Sequence, residues 1–283
     1  MIRIITDSTS SLTLAEYQKY DLGMIPILIN QGEITKRELL DISYTEFYEK
    51  QRAGGKFTTA QAGPQAFIEA FRPLIAAGDE IICIVLSSKI SGTFNSAMLA
   101  QETLNTDKIS IIDSRQTGYG QAYLALQACA LAAAGLQRDK IVKKLENIQL
   151  RSRTYFVVES LKYLHEGGRL SGAQALIGSI IQLKPIIWFD PEGALVAFEK
   201  IRTLKAAKAR MLSLIEEQAL LGLEKVVVQY GANYDEALEF SEIIRTRFGI
   251  SETPVQISPV VAAHTGPDVL GVLAVTKESQ AKV

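Results

Sequence analysis

Short apolar runs alternate with stretches of helical period through the first half of the chain. Residues 2–5 read as a strand that stops at Thr6-Asp7-Ser8-Thr9-Ser10-Ser11, a polar cluster suited to capping a helix over 14–20. A second strand is predicted over 24–29 and a helix over 44–52. After the Gly54-Gly55 break, a further helix is predicted over 64–77, with Pro64 in its first turn. Glu80-Ile81-Ile82-Cys83-Ile84-Val85-Leu86 has the unbroken apolar character of a strand covered on both faces. It stops at Ser87-Ser88-Lys89-Ile90-Ser91-Gly92-Thr93-Phe94-Asn95-Ser96, whose second half begins a helix. A strand over 108–112 ends in Asp113-Ser114, ahead of an Ala-rich helix over 119–134. This β-α alternation predicts a doubly wound parallel sheet.

The second half changes style near residue 150, where a domain boundary is expected, giving units of 1–150 and 151–283. A strand over 154–158 and a helix over 160–166 stop at Gly167-Gly168, directly followed by Arg169. A helix over 172–182 leads into an apolar strand over 184–189. The turn Asp190-Pro191-Glu192-Gly193 then folds it back on a strand over 194–202, forming an antiparallel hairpin. A helix over 204–221, a strand over 225–230, a helix over 234–248 and strands over 255–261 and 269–275 complete an α+β unit.

In open α/β sheets, ligands bind beyond the carboxyl ends of the strands, and three such ends here carry hydroxylic or acidic clusters: Asp7-Ser8, Ser87 to Thr93, and Asp113-Ser114. A helix start rich in Ser, Gly and Thr offers free N–H groups and the positive end of the helix dipole to a carboxylate or phosphate. The competing reading is that each cluster only caps the next helix.

The 283 residues are 47% hydrophobic and 22% charged, with a net charge of -1, which gives no electrostatic argument for nucleic acid. The N-terminus is too short in apolar residues for a signal peptide, and no stretch approaches the roughly 18 apolar residues of a spanning helix, so a cytoplasmic location is expected. Cys83 and Cys129 read as core thiols. The two histidines have no metal-ligand spacing around them. His165 reads as a surface or packing residue, and His264, in Ala262-Ala263-His264-Thr265-Gly266-Pro267, as either a cleft residue or part of a structural turn. Neither G-x-G-x-x-G after the first strand nor G-x-x-x-x-G-K-[ST] occurs, so no nucleotide cradle is present in its usual form. An acyl hydrolase or transferase using Ser91 as nucleophile and His264 as base lacks an evident orienting acid.

Several pieces occur in one order along the chain: Thr6-Asp7-Ser8, Ser87-Ser88 with Ser91-Gly92-Thr93, and Ile112-Asp113-Ser114. Leu161-Lys162-Tyr163-Leu164 with Gly167-Gly168-Arg169, Lys184-Pro185-Ile186, Arg202-Thr203 and His264-Thr265-Gly266-Pro267 follow. In this series the chain resembles the DegV family of bacterial fatty-acid-binding proteins over nearly its whole length. The resemblance implies a Rossmann-like N-terminal domain, a C-terminal α/β domain and one long-chain fatty acid held between them. It also implies a role as the lipid-binding subunit of fatty acid kinase, presenting the acyl carboxylate to a separate ATP-binding subunit that makes acyl-phosphate. The implied carboxylate contacts are Thr59 and the Ser91-Gly92-Thr93 step, with Arg169 and His264 as nearby polar residues and Arg202 as a docking position for the kinase. Against the family's T-S-Q-P-S-P the chain reads Thr59-Ala60-Gln61-Ala62-Gly63-Pro64, so that the two customary serines are Ala60 and Gly63; Thr58 adjoins Thr59, and Asp268 stands where Gly is customary.

Burying a carboxylate requires replacement hydrogen bonds, which such hydroxyls and a helix start can give. The acyl chain would supply the remaining affinity through an apolar lining, for which Ile90, Phe94, Leu176, Ile177, Ile180 and Ile181 are candidates. No cofactor, metal or catalytic residue is expected. The partners expected are the fatty acid, the kinase subunit and a peripheral or transient membrane contact. A carrier for some other small acid is the third reading, since fold does not fix function.

Overall fold

A computed structural model describes residues 1–170, 183–250 and 252–278, and the chain divides into two units. The first comprises Met1–Gln149 together with Ser258–Val261, and the second Leu150–Ile257 and the residues from Ala262 onward. In chain order the first unit opens with β1 (Ile2–Asp7), α1 (Leu14–Lys19), β2 (Gly23–Ile25), β3 (Leu28–Gln31), β4 (Ile34–Arg37), α2 (Tyr44–Arg52) and β5 (Thr58–Ala60). It continues with α3 (Pro64–Ala76), β6 (Glu80–Val85), α4 (Thr93–Leu104), β7 (Ile109–Asp113), α5 (Tyr119–Ala133) and α6 (Arg138–Arg151).

Four of these strands form a parallel sheet in the order β2-β1-β6-β7. Its central strands are the unbroken apolar runs, with Ile81 to Val85 fully buried, as a sheet covered on both faces requires. The Ala-rich α5 packs on β1 and β6 and is buried continuously from Tyr119 to Ala125, because small side chains let a helix approach a sheet closely. The strand expected over 24–29 is two strands. Pro26 lacks an N–H and cannot continue a ladder, so β2 pairs with β1 while β3 turns away into a separate antiparallel sheet, β4-β3-β5. That small sheet and α6 are additions to the expected element order.

The second unit holds β8 (Ser152–Val158), α7 (Lys162–Glu166), β9 (Ile186–Phe189), β10 (Leu195–Glu199), α8 (Leu204–Ala219), β11 (Leu223–Tyr230) and α9 (Tyr234–Phe248). It closes with β12 (Val255–Gln256), α10 (Pro259–Thr265), whose first turn counts with the other unit, and β13 (Val269–Thr276). The sheet order β10-β9-β8-β13-β11-β12 is mixed, with β12 parallel to β11 and the remaining pairs antiparallel. The expected hairpin is present, and the Asp190 carboxylate accepts from the N–H groups of Glu192 and Ala194 to close it. The core lies between this sheet and the faces of α8 and α9, where Met211, Ile215, Val226, Val228, Phe240 and Ile244 are buried. Each such side chain contributes roughly 1.5–3 kcal/mol relative to exposure.

A second expectation is also corrected. The apolar run over 255–261 is not a single strand: β12 covers two residues, and Pro259 then opens α10, with Ser258 Oγ accepting from the Val261 N–H. An apolar run of this length fits a buried helix as well as a strand, and proline at the first helical position decides for the helix. His264 therefore ends a helix rather than following a strand.

Candidate functional site

In the parallel sheet β1, β6 and β7 are neighbours, so the three polar strand ends lie along one rim. Asp7 and Asp113 act there on the backbone. Asp7 is fully buried and accepts from the Thr9 hydroxyl, the Thr9 N–H and, through Oδ2, the Leu86 N–H at 2.8 Å. Asp113 Oδ1 accepts from the N–H groups of Ser88 at 3.2 Å and Arg115 at 2.8 Å. The loop after β6 is thus held from both flanking strands. Burial pushes the Asp7 carboxyl above its usual range, against the pull of Thr9, Leu86 and Gln121.

That loop delivers Ser91, Gly92 and Thr93 to the start of α4. Ser91 Oγ and Thr93 Oγ1 are 2.9 Å apart, and Ser91 Oγ accepts from the Thr93 N–H at 3.2 Å. Gly92 is the N-cap residue and gives α4 no side-chain cap. Thr93 is buried, whereas Ser91, Gly92, Ile90 and Phe94 are half-buried. Thr59 is the middle residue of β5 and stands opposite Ile29 of β3, which is 1% exposed. Opposed residues of an antiparallel pair share a face, so Thr59 faces inward with Ile29 while Thr58 and Ala60 are exposed on the other face. Gly63, in place of the family's Ser, is the N-cap of α3 and leaves that helix without a side-chain cap.

Sequence reasoning passed over Glu38 and Gln61. Glu38 is fully buried, accepting from the hydroxyls of Ser8 and Ser258 and from the Val260 N–H at 2.8 Å. Burial is the main cause that raises its pKa to about 8, the same three donors pulling it down and Asp7 pushing it up. The only hint in the sequence is an acid inside the Arg37-Glu38-Leu39-Leu40 turn, a pattern common on protein surfaces. Gln61 Nε2 donates to Ser96 Oγ at 3.0 Å, which ties the segment after β5 to the first turn of α4.

In the second unit, Gly167-Gly168-Arg169 and His264-Thr265-Gly266 come together around Tyr163. A Cβ on Gly167 would lie 2.5 Å from His264 Nδ1, and one on Gly266, whose φ is 83°, would lie 2.7 Å from the Tyr163 ring. Gly266 serves the left-handed turn as well as the space, whereas Gly167, with an ordinary helical backbone, serves the space alone. Burial, followed by the charge of Arg169, lowers the His264 pKa to about 4, so its ring is neutral at neutral pH. Arg169 donates to the Gly167 carbonyl, and burial lowers its own pKa. Asp268 is not among the positive-φ residues, so the customary glycine is not required at that place. Arg202 is exposed, one residue before Thr203, the N-cap of α8. His165 is exposed on α7. Leu176, Ile177, Ile180 and Ile181 lie outside the described residues, as does the helix expected over 172–182. Among the described residues, no helix is long and apolar enough to cross a membrane, and no group of three or more His, Cys, Asp or Glu is arranged to hold a metal ion.

A protein-family model described as "Uncharacterised protein, DegV family" matches residues 1–277. The chain is 34% identical over 277 residues to a DegV domain-containing protein of Caldanaerobacter subterraneus subsp. tengcongensis, covering 96% of this chain and 97% of that one. Among solved structures, it is similar to DegV, a fatty acid binding protein from Bacillus subtilis, with a TM-score of 0.89, 34% identity and coverage of 98% and 99% of the two chains. It is also similar to a stearic acid-binding protein from Eubacterium ventriosum, with a TM-score of 0.87, 28% identity and the same coverage.

Proposed function

This chain belongs to the DegV family, and from that premise we propose that it binds one long-chain fatty acid and presents the carboxylate to a separate ATP-dependent kinase subunit. The observation that carries the reading is the full-length likeness to a solved fatty acid binding protein at 34% identity. The local chemistry agrees with it. A helix start without a side-chain cap, flanked by two hydroxyls, offers donors to an anion, and charge-assisted bonds of this kind offset the cost of burying a carboxylate. Thr59, Ser91, Gly92 and Thr93 of the first unit are the carboxylate contacts in this reading, and Arg169 and His264 the candidates from the second. His264 would contribute as a neutral ring. The acyl chain adds about 0.8 kcal/mol for each buried methylene, with Ile90 and Phe94 among its lining residues.

The absence of a P-loop sequence weakens a self-sufficient kinase, and this reading assigns ATP to a partner. In the complete reaction a carboxylate oxygen attacks the terminal phosphorus of ATP and ADP leaves, giving acyl-phosphate for bacterial phospholipid metabolism. Arg202 is the proposed docking position, and the setting is cytoplasmic, with transient contact at a membrane surface.

Mass spectrometry of the gently purified protein should find a co-purifying long-chain fatty acid. Acyl-phosphate should form only when ATP and the kinase subunit are both supplied. Turnover of acyl esters by the protein alone would instead favour the Ser91 and His264 hydrolase, and a different bound acid would favour another carrier role.

A further inference from the structure

A side chain at the N-cap of α4 would meet the amide of Gln61, the far end of a flexible side chain on an exposed residue. Gly92 has φ -78° and ψ 4°, a conformation open to other residues. A Cβ at this position would stand 2.0 Å from Gln61 Oε1, 2.8 Å from Gln61 Cδ and 3.0 Å from Nε2. The Gln61 amide therefore occupies the place of a Cβ at this position.

Its other end is fixed as well. Nε2 donates to Ser96 Oγ at 3.0 Å, and Ser96 is 4% exposed and gives its own N–H to the Gly92 carbonyl at 3.0 Å. The amide thus spans the first turn of α4 from Gly92 to Ser96. It does so from the segment between Thr59 and Pro64, the first residue of α3, which packs against α4.

We propose that Gln61 is a positioning residue for the acyl carboxylate: its amide, seated on Gly92 and bonded to Ser96, sets Thr59 against the Ser91-Gly92-Thr93 turn. This rests on the carboxylate-binding role proposed above. Two hydroxyl-bearing segments that are distant in sequence are linked by one side chain, and a glycine at position 92 leaves room for its amide.

The test compares a long-chain fatty acid with the fatty alcohol of the same length, by calorimetry on the full chain stripped of lipid. Gln61→Glu keeps the shape, and Ser96 can donate to the carboxylate it introduces, but it sets a negative charge beside the cradle. Acid affinity should fall about tenfold or more while alcohol affinity stays within about twofold. Gly92→Ala should weaken acid binding by a similar factor. Gln61→Ala should weaken acid binding by a like factor, and adding it to Gly92→Ala should cost little more, because both changes disturb the same seated amide. An unchanged acid-to-alcohol ratio in Gln61→Glu, or additive losses in the Gly92 and Gln61 pair, would overturn the assignment even if the parent protein binds fatty acid normally. If the parent itself shows no preference for the acid, the carboxylate reading fails first and this inference fails with it.

Discussion

Glu38 and Val260 stand 222 residues apart in the chain, yet the Val260 N–H donates to Glu38 Oε1 at 2.8 Å. This bond, with those from Ser8 and Ser258, fastens the returning segment 258–261 to the first unit through one buried carboxyl. Tyr44, whose buried hydroxyl has no hydrogen-bond partner among the described residues, and Tyr17 are further titratable groups beside it, together with Asp7.

The Glu38 carboxyl has a value near 4.5 when unfolded and about 8 when folded. The folded protein therefore binds more protons between those limits. The stability this supplies is complete below about pH 4.5 and is lost as pH rises through 8. Glu38→Gln has no such slope. Between pH 5 and 9 the melting temperature of the variant should rise relative to the parent, by an amount corresponding to a few kcal/mol. A difference that stays constant with pH would show that Glu38 does not titrate in this way.

His264 behaves with the opposite sign. Its value falls from 6.5 to about 4 on folding, so the folded protein binds fewer protons between them, and stability is lost as pH falls from about 6.5 through 4. Proton NMR of the lipid-free protein should show the His264 ring neutral at pH 6. Arg169→Ala removes a positive neighbour and should move the titration upward. A His264 ring already protonated at pH 6 in the parent contradicts the burial argument.

Thr59→Ala and Ser91→Ala should each weaken fatty acid binding by about 1.5–3 kcal/mol, the range for a hydrogen bond to a charged group, or roughly ten- to a hundredfold in Kd. Thr58→Ala, on the exposed face of β5, should leave Kd unchanged. Equal losses at 58 and 59 would mean that the strand, and not the Thr59 hydroxyl, is what matters.

Arg202→Ala should keep the parent's melting temperature and fatty acid affinity, since the side chain is exposed. In the reconstituted reaction with the kinase subunit it should lower the rate of acyl-phosphate formation. A variant that is phosphorylated at the parent rate excludes Arg202 from docking.

The sequence by itself determined the parallel sheet, because runs such as Ile81 to Val85 can be covered on both faces only inside one, and it marked the polar strand ends where Asp7, Ser87 and Asp113 lie. It also determined the hairpin at Asp190 to Gly193 and the amphipathic helices over α8 and α9, since these follow from spacing and turn chemistry within a few residues. Tertiary structure alone decided what the polar residues do. Asp7 and Asp113 became backbone acceptors holding one loop, Thr59 and not Thr58 turned inward through its pairing with Ile29, and the apolar run at Val260 became a helix start bound to Glu38. The physical reason is that apolar periodicity is a local property of the chain, whereas a hydrogen bond is assigned only once residues far apart in sequence have been brought within about 3 Å.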